Sequence, residues 1–357
     1  MPDPENITET SLSRRQLIAA GLAGLSTAAL GGGTLERVLA QPAAPFRIDV
    51  HHHLFPPTLV EALTKANLGT RPASDWTPQR SIEDMDKAGI AVAMTSITTP
   101  GVSFLDVATA RAVARECNEY AAKLRETNKG RFGIFLALPM QDADGALAEI
   151  AYGLDTLKAD GIAMLTSYGD VWLGHPKFEP IFEELNRRKA IVYTHPTSAN
   201  CCRNIQPAFP DSIIEWGTDT TRAIAGIVFS GAAHKYRDIK FIFSHAGGTM
   251  PFLAERFTLA PQTLLGPEQK KALTAAVPEG VAAELQRFYY DTAQATHPAP
   301  LTALTKLIPI SQILYGTDYP YRRGAENVQG LAAFGFTPSD LAAIEFGNAA
   351  RIMPKYA

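Results

Sequence analysis

Five side chains suited to metal binding and proton transfer stand at the ends of short apolar segments that are far apart along the chain. They are His51, His53, His195, His245 and Asp318. Imidazole nitrogens and a carboxylate oxygen together bind divalent transition metals such as Zn²⁺. A histidine beside such an ion can also give or take a proton during a reaction. If the fold brings these segment ends together, the residue types predict a metal-dependent reaction centre.

The first apolar segment ends in the run His51-His52-His53. Because alternate side chains of a strand share a face, His51 and His53 are predicted to point the same way, with Asp49 on the same side. Asp49 would then orient one of these imidazoles, or else remain a buried, hydrogen-bonded carboxylate with no effect on the metal. His52 has the opposite parity and is predicted to be structural. Taken alone, the run would also fit a surface histidine cluster.

Eight short segments rich in β-branched and aromatic residues alternate with longer segments of helical periodicity. These predicted strands are Phe46–His53, Ala91–Ile97, Gly133–Pro139, Gly161–Thr166, Ile191–Pro196, Lys240–Ala246, Phe288–Ala293 and Ile313–Pro320. Such alternation is typical of α/β proteins with parallel βα units, and eight units predict a (β/α)8 TIM barrel. The carboxyl ends of all barrel strands meet at one mouth, so the histidines and Asp318 are expected there.

Two proline-rich or polar insertions follow strands one and five of this predicted barrel. Pro56–Pro78 comes after the first strand and Asn200–Glu215 after the fifth. Both are predicted to be irregular, and both start where a barrel enzyme builds its site. They are therefore expected to cover the mouth and to shape the substrate pocket.

The composition excludes several functional classes. The chain has 357 residues, of which 46% are hydrophobic and 19% charged, which is typical of a packed globule rather than a disordered protein. A net charge of −3 gives no field that would attract nucleic acid, so no nucleic-acid partner is expected. Three cysteines are too few for a disulfide framework. The adjacent Cys201 and Cys202 are expected to be structural or incidental thiols.

The first forty residues are typical of an export signal. A polar lead is followed by Arg14-Arg15 and then by an alanine-, glycine- and leucine-rich stretch. This layout is similar to a twin-arginine signal, which predicts removal of residues 1–40 and a periplasmic or exported protein. The apolar stretch is too short to span a bilayer stably, so no membrane span is expected after removal. Residues 41–357 then form a single barrel. An amphipathic or disordered N-terminal arm is the alternative.

The motifs at the strand ends resemble the amidohydrolase superfamily, in the branch of aminocarboxymuconate-semialdehyde decarboxylase and the aromatic-acid decarboxylases related to methylsalicylate decarboxylase. The resemblance covers nearly all of residues 46–350. It implies that a divalent ion is held by His51, His53, His195 and Asp318. It also implies that His245, lying beside the ion, is the catalytic acid or base, with Asp318 sharing this role.

The number of metal ions follows from the fourth strand. Two-metal members of the superfamily bridge their ions with a carbamylated lysine at this place, whereas Gly161–Thr166 contains no lysine. One ion is therefore expected. Three nitrogen ligands and one carboxylate favour Zn²⁺, and Mn²⁺ stays open because it accepts a carboxylate too.

Two further residues are predicted to contact the substrate. Arg256 lies eleven residues after His245, where the aminocarboxymuconate enzyme has an arginine that reaches a substrate carboxylate across a dimer interface. The resemblance thus implies a homodimer, and an ordinary helix-surface arginine is the alternative. Trp172 follows strand four at the mouth, where its ring would pack on a planar substrate or else anchor a loop.

Two reactions fit the same five residues. In the first, a small 2-hydroxy aromatic or dienoic carboxylic acid binds the metal through its oxygens, is protonated by His245 or Asp318 and loses carbon dioxide. In the second, these residues activate water that attacks a lactone, an amide or a related C–O or C–N bond. Short motifs such as Thr194-His195-Pro196-Thr197 resemble those of the methylsalicylate-type decarboxylases and favour decarboxylation. Export favours hydrolysis, and a metal-binding barrel without turnover is a third hypothesis.

Overall fold

Eight parallel strands form a nearly closed barrel in the computed structural model, which describes residues 46–69 and 71–357. The predicted export segment 1–40 lies outside these residues. In chain order the strands are β1 Arg47–His53, β2 Ile90–Ser96, β3 Phe132–Leu136, β4 Gly161–Leu165, β5 Ile191–His195, β6 Lys240–Phe243, β7 Tyr289–Asp291 and β8 Ile313–Leu314. Each pairs in parallel with the next along the chain. The predicted (β/α)8 TIM barrel is confirmed.

Strand β8 is much shorter than predicted, yet the chain beyond it still closes the barrel against β1. The N–H of Val50 donates to the Tyr315 carbonyl at 3.0 Å, and the N–H of Asp318 donates to the His51 carbonyl at 2.8 Å. The segment therefore runs beside β1 without forming a regular ladder. These backbone bonds hold Asp318 next to the end of β1.

A β-bulge interrupts β1 in the middle of its histidine run. Asp49 is paired with Ala93 of β2, and the next pair along the strand is His52 with Thr95. Three steps on β1 thus correspond to two on β2, so the alternation of side chains slips by one residue. Asp49 consequently shares a side of the strand with His52 rather than with the other two histidines.

Helices cover the outside of the barrel. The α-helices are Pro57–Lys65, Arg71–Asp75, Pro78–Ala88, Val107–Thr127, Ala143–Ala151, Glu179–Arg187, Glu215–Phe229, Ala232–Lys235, Ala254–Thr258, Ala260–Leu264, Pro267–Ala276, Val281–Arg287, Pro298–Leu307, Gly324–Phe334, Pro338–Ala342 and Asn348–Ile352. No helix within residues 46–69 and 71–357 is both long and apolar enough to cross a bilayer. Strand β4 is followed by a short antiparallel hairpin of Ser167–Tyr168 and Val171–Trp172.

The two insertions differ from each other. The first was predicted to be irregular, but it contains the helices Pro57–Lys65 and Arg71–Asp75, since prolines at the first turn of a helix do not disrupt it. The second is irregular as predicted, with two single 3₁₀ turns, Asn200–Cys202 and Asp211–Ile213. In it Cys201 and Cys202 form a disulfide bond, which corrects the expectation of free thiols.

Apolar side chains fill the lower part of the barrel and form the floor below the histidines. Ile48, Val50, Phe135, Tyr193 and Ile242 all belong to one buried cluster. The rings of Phe135 and Tyr193 are stacked, with centroids 5.6 Å apart, and the ring of His51 lies edge-on to that of Tyr193. The histidine end of the barrel is therefore supported by a layer of closely packed, buried side chains.

Candidate metal centre and active site

The four predicted metal ligands come together at the carboxyl end of the barrel. They are His51, His53, His195 and Asp318, from the ends of β1 and β5 and from the segment after β8. One ligand atom from each lies within 4.8 Å of those of the other three, and all four residues are buried. Side chains from three distant stretches of the chain thus converge on one point that a single ion can occupy.

Asp318 bridges the two histidines of β1. Its Oδ1 lies 3.0 Å from Nε2 of His53 and 3.2 Å from Nε2 of His51. The backbone of Asp318 is left-handed, with a φ of 66°, a conformation that few residues other than glycine adopt. Since such a conformation persists only where its surroundings impose it, the fold holds this carboxylate in place at an energetic cost.

His195 carries the atom that best indicates a bound cation. Its Nδ1–H donates to the carbonyl of Pro196 at 2.8 Å, which leaves the lone pair on Nε2. That Nε2 is buried and has no hydrogen-bond partner among the described residues. Leaving a buried nitrogen without a hydrogen bond lowers the stability of the fold. Nε2 of His195 lies beside the imidazoles of His51 and His53 and the carboxylate of Asp318. The donor set and this orphaned nitrogen fit a divalent metal ion.

Protonation states in the cluster follow from burial and from two carboxylates. Burial lowers the pKa of His195 well below its ordinary value, and the neighbouring His53 lowers it further. Burial acts on His51 in the same direction, but Asp291 and Asp318 outweigh it and raise its pKa to about 10. Burial would raise the pKa of Asp318, yet the contact with His51 holds it well below the usual range. The cluster thus keeps an ionised carboxylate for a cation.

His245 lies beside this cluster rather than inside it. Its Nε2 is 3.3 Å from Oδ2 of Asp318, and its side chain is 16% exposed, whereas the other three histidines are almost fully buried. Like Asp318, it has left-handed backbone, with a φ of 53°. A histidine that touches both the centre and solvent can exchange protons with water, which suits the predicted acid–base role.

A further acidic residue, missed by the sequence reasoning, supports both parts of the site. Oδ2 of Asp291 lies 2.9 Å from Nδ1 of His51, and its Oδ1 accepts the backbone N–H groups of His245 and Ala293 at 2.9 and 3.0 Å. One buried carboxylate therefore orients a metal ligand and the loop that carries His245. Its position at the end of β7 was the signal that could have identified it.

Replacing Asp291 with Asn is expected to weaken metal binding by about 10- to 100-fold, because the amide accepts less strongly from the Nδ1–H of His51 and can turn a competing donor towards it. The affinity is measured by titrating metal into the metal-free protein. Glu345→Gln, at a buried carboxylate that pairs with Arg47, is the control for removal of a buried negative charge. Unchanged affinity in Asp291→Asn would exclude this orienting role.

The Asp49 side chain bonds to the imidazole of His52 and to no imidazole of a metal ligand, contrary to one of the two sequence expectations, although its Oδ1 accepts the backbone N–H of His51 at 3.0 Å. Its Oδ2 lies 3.0 Å from Nδ1 of His52 and accepts the Thr317 hydroxyl at 2.6 Å. Nε2 of His52 in turn lies 3.0 Å from the Ser81 hydroxyl. The bulge in β1 explains the error, because it turns Asp49 and His52 to the same side. His52 is buried and structural, as predicted.

The two predicted substrate residues lie in different surroundings. Trp172 stands in the hairpin after β4, where its Nε1–H donates to Oδ1 of the buried Asp219 at 2.5 Å and the guanidinium of Arg222 lies 5.4 Å from its ring centre. Arg256 is exposed on the helix Ala254–Thr258, and its guanidinium has no hydrogen bond or ion pair within the described part of the chain. Trp172 is therefore held in place by contacts with Asp219 and Arg222. The substrate-binding roles of Trp172 and Arg256 stay predictions.

Three other side chains border the centre and were not predicted. The Gln294 amide donates to Oδ2 of Asp318. The ring of Trp216 lies 5.7 Å from that of His195, and the ring of Tyr321 lies 5.9 Å from that of His53. Aromatic walls beside a charged centre suit a planar substrate that has one polar edge. Nothing in the local sequence of these residues distinguishes them from ordinary loop positions.

Comparison with known proteins agrees with this geometry. A family model described as amidohydrolase matches residues 48–355. A decarboxylase, yanB of Aspergillus niger, is 39% identical over 77% of both chains. A 6-methylsalicylic acid decarboxylase of Penicillium expansum is 36% identical over 77% of this chain and 85% of its own. Among solved structures, a dihydroxybenzoic acid decarboxylase of Polaromonas with bound manganese and the inhibitor 2-nitroresorcinol has a similar fold, with a TM-score of 0.74. The two sequences are 20% identical, and the superposition covers 87% of this chain and 98% of the Polaromonas chain.

Proposed function

Because the chain belongs to the amidohydrolase family, we propose that it is a metal-dependent carboxy-lyase acting on a small 2-hydroxy aromatic carboxylic acid. A dienoic acid with the same arrangement of oxygens is the related possibility. The observation that carries this proposal is the buried cluster of three histidines and Asp318 with the partly exposed His245 at its edge. The relatives at 36–39% identity are decarboxylases by name, which favours carbon–carbon cleavage over hydrolysis.

The ligand residues would hold the ion and receive the polar edge of the substrate. His51, His53, His195 and Asp318 supply three nitrogens and one ionised carboxylate oxygen. When bound, a divalent ion supplies Lewis-acid polarisation of the substrate oxygens at this centre. Trp216 and Tyr321 flank the cluster on two sides. These two rings would limit the access of water to the centre.

His245 supplies the proton in the proposed reaction. It transfers the proton from Nε2 to the ring carbon that bears the carboxylate. The bond between this carbon and the carboxylate then breaks, its electron pair restores the aromatic ring, and carbon dioxide leaves. His245 regains a proton from solvent on its exposed side. Oδ2 of Asp318, which also accepts from Gln294, keeps the His245 ring directed at the centre.

The reaction is tested by incubating the purified, metal-loaded protein with a series of substituted 2-hydroxybenzoates. We expect release of carbon dioxide and of the corresponding phenol in equal amounts, measured by gas analysis and chromatography. Lactones and amides are run in parallel, because metal-assisted hydrolysis uses the same residues. Turnover of a lactone or amide without carbon dioxide from any hydroxybenzoate would refute the decarboxylase proposal.

The identity of the ion is a narrower proposal. The three imidazoles and one carboxylate favour Zn²⁺, whereas the solved Polaromonas decarboxylase carries manganese. We propose one Zn²⁺ per chain, with Mn²⁺ as the alternative. Elemental analysis of the protein purified without added metal tests both the ion and its stoichiometry, and two ions per chain would contradict the proposal.

Export and assembly remain proposals as well. We propose that Arg14-Arg15 directs the folded protein out of the cytoplasm, and a full-length precursor that stays there would contradict this. We also propose a homodimer in which Arg256 reaches the carboxylate of a substrate bound by the neighbouring chain. Its exposed, unpaired guanidinium supports this placement. A monomer with normal activity in solution would exclude it.

A further inference from the structure

A buried carboxylate outside the ligand cluster collects hydrogen bonds at the carboxyl ends of β4 and β5. Asp219, on the helix that follows the second insertion, is only 1% exposed. Its Oδ2 accepts the hydroxyl groups of Thr166 and Ser167, the latter at 3.0 Å, and its Oδ1 accepts the Nε1–H of Trp172 at 2.5 Å. Such a convergence of donors suits an ionised carboxylate, which can only accept hydrogen bonds.

This carboxylate is expensive for the fold to keep. Within the described part of the chain Asp219 forms no ion pair with a lysine or arginine, so hydrogen bonds alone compensate for the loss of water around it. Burial raises the pKa of Asp219, and the bonds from Thr166, Trp172 and Ser167 act in the opposite direction. Apolar side chains would fill the same space at a lower cost in free energy. The position of Asp219 therefore points to a task other than stability.

The groups that bond to Asp219 are also bonded to the metal ligand His195. The backbone N–H of Thr166 donates to the His195 carbonyl at 3.0 Å, while the side chain of Thr166 donates to Asp219. On the other side, the backbone N–H of Thr197 is hydrogen-bonded to Asp219. This N–H belongs to the same peptide group as the Pro196 carbonyl, which accepts the Nδ1–H of His195 at 2.8 Å. Asp219 is thus connected to His195 on both sides.

We propose that Asp219 is a positioning residue for His195, an inference that rests on the metal centre of the proposed function. It holds Thr166 and the 196–197 peptide group, so that Nδ1 of His195 keeps its hydrogen and Nε2 stays directed at the metal. A hydrogen-bond partner of this kind orients a metal-bound imidazole and raises its basicity. Asp291 does so for His51 by direct contact, whereas Asp219 acts through a peptide group.

The first test measures Zn²⁺ affinity by titration of the metal into the metal-free protein. Asp219→Asn keeps the shape of the side chain and removes its charge, and we expect binding to weaken by about tenfold, the lower end of the loss for a partner of a metal-bound histidine. Ser167→Ala is the matched control, because its hydroxyl bonds to the same carboxylate but not to His195. This control should change the affinity by less than about twofold.

A second measurement depends neither on metal nor on activity. In metal-free protein with isotope-labelled histidine, the Nδ1–H proton resonance of His195 is assigned by its loss in His195→Ala. We expect this resonance to move upfield in Asp219→Asn, because the Pro196 carbonyl becomes a weaker acceptor once the carboxylate no longer polarises its peptide group. Ser167→Ala should leave the resonance in place.

A second variant keeps the proposal testable if Asp219→Asn folds poorly. Thr166→Val has nearly the same shape and retains the backbone N–H that donates to His195, but it loses the hydroxyl that donates to Asp219. We expect Zn²⁺ affinity to fall by about threefold, as for the loss of one hydrogen bond. Circular dichroism checks that the helical content of each variant matches that of the wild type.

The outcomes separate this inference from the proposed function. If the wild-type protein binds no metal, the proposed function fails, while the Nδ1–H resonance still reports whether Asp219 holds His195. If the wild type binds Zn²⁺ but Asp219→Asn and Thr166→Val leave both the affinity and the resonance unchanged, the positioning role is wrong. Equal losses of affinity in Asp219→Asn and Ser167→Ala would also overturn it, because the carboxylate would then only anchor the hairpin of Trp172.

Discussion

Replacing His195 with Ala is expected to lower metal affinity by more than about 100-fold and to reduce turnover below detection. The loss of a residue that merely orients a ligand already costs about 10- to 100-fold, so loss of a ligand itself costs more. His195 is the strongest choice for this experiment, because its buried Nε2 has no hydrogen-bond partner in the part of the chain that the structure describes. Metal content is measured by elemental analysis after dialysis against a chelator.

The controls separate metal loss from misfolding. His297→Ala removes an exposed histidine outside the cluster, and it should leave metal content and activity unchanged. Circular dichroism should show the same helical content in both variants. The double variant His51→Ala with His195→Ala should be free of metal, and full occupancy in this double variant would refute the assigned centre.

The second large effect is expected from His245→Asn, which should lower kcat by about 10² to 10⁴-fold while metal content stays at the wild-type level. Asn suits the left-handed backbone of His245, whose φ is 53°, and it keeps the backbone N–H that donates to Asp291. Asp318 retains its hydrogen bond from Gln294, so the ligand cluster remains intact. Only the titratable ring is removed.

Single-turnover kinetics and inhibitor binding test this assignment. We expect the dissociation constant of 2-nitroresorcinol, the inhibitor bound in the solved Polaromonas decarboxylase, to change by less than about threefold, because His245 is needed for proton transfer rather than for binding. A parallel loss of metal would show that His245 acts as a ligand. Decarboxylation at close to the wild-type rate in a metal-loaded His245→Asn protein would exclude it as the proton donor.

The mouth of the barrel could be predicted because its residues follow local rules. Strand-forming segments alternate with amphipathic helices, and parallel closure puts all strand ends at one rim. This was sufficient to place His51, His53, His195 and Asp318 together, although they are up to 267 positions apart in the chain. The roles assigned to them came from the resemblance to a known family, since residue types at strand ends specify a metal centre but no particular reaction.

The residues that orient the metal ligands could not be predicted, because their contacts depend on strand pairing and barrel closure rather than on local sequence patterns. The bulge in β1 arises from its pairing with β2, and it moved Asp49 to the side of His52. Asp291 meets His51 only because the barrel closes, since 240 positions separate them.

The sequence alone therefore determined the barrel and the residues at its mouth, because strand and helix periodicity and residue chemistry are local properties of the chain. Only the tertiary structure decided which carboxylate orients which histidine, and which side chains shape the space for a substrate. Those contacts depend on the register and twist with which distant segments pack, and a one-residue slip on a strand reverses the face that every later side chain occupies.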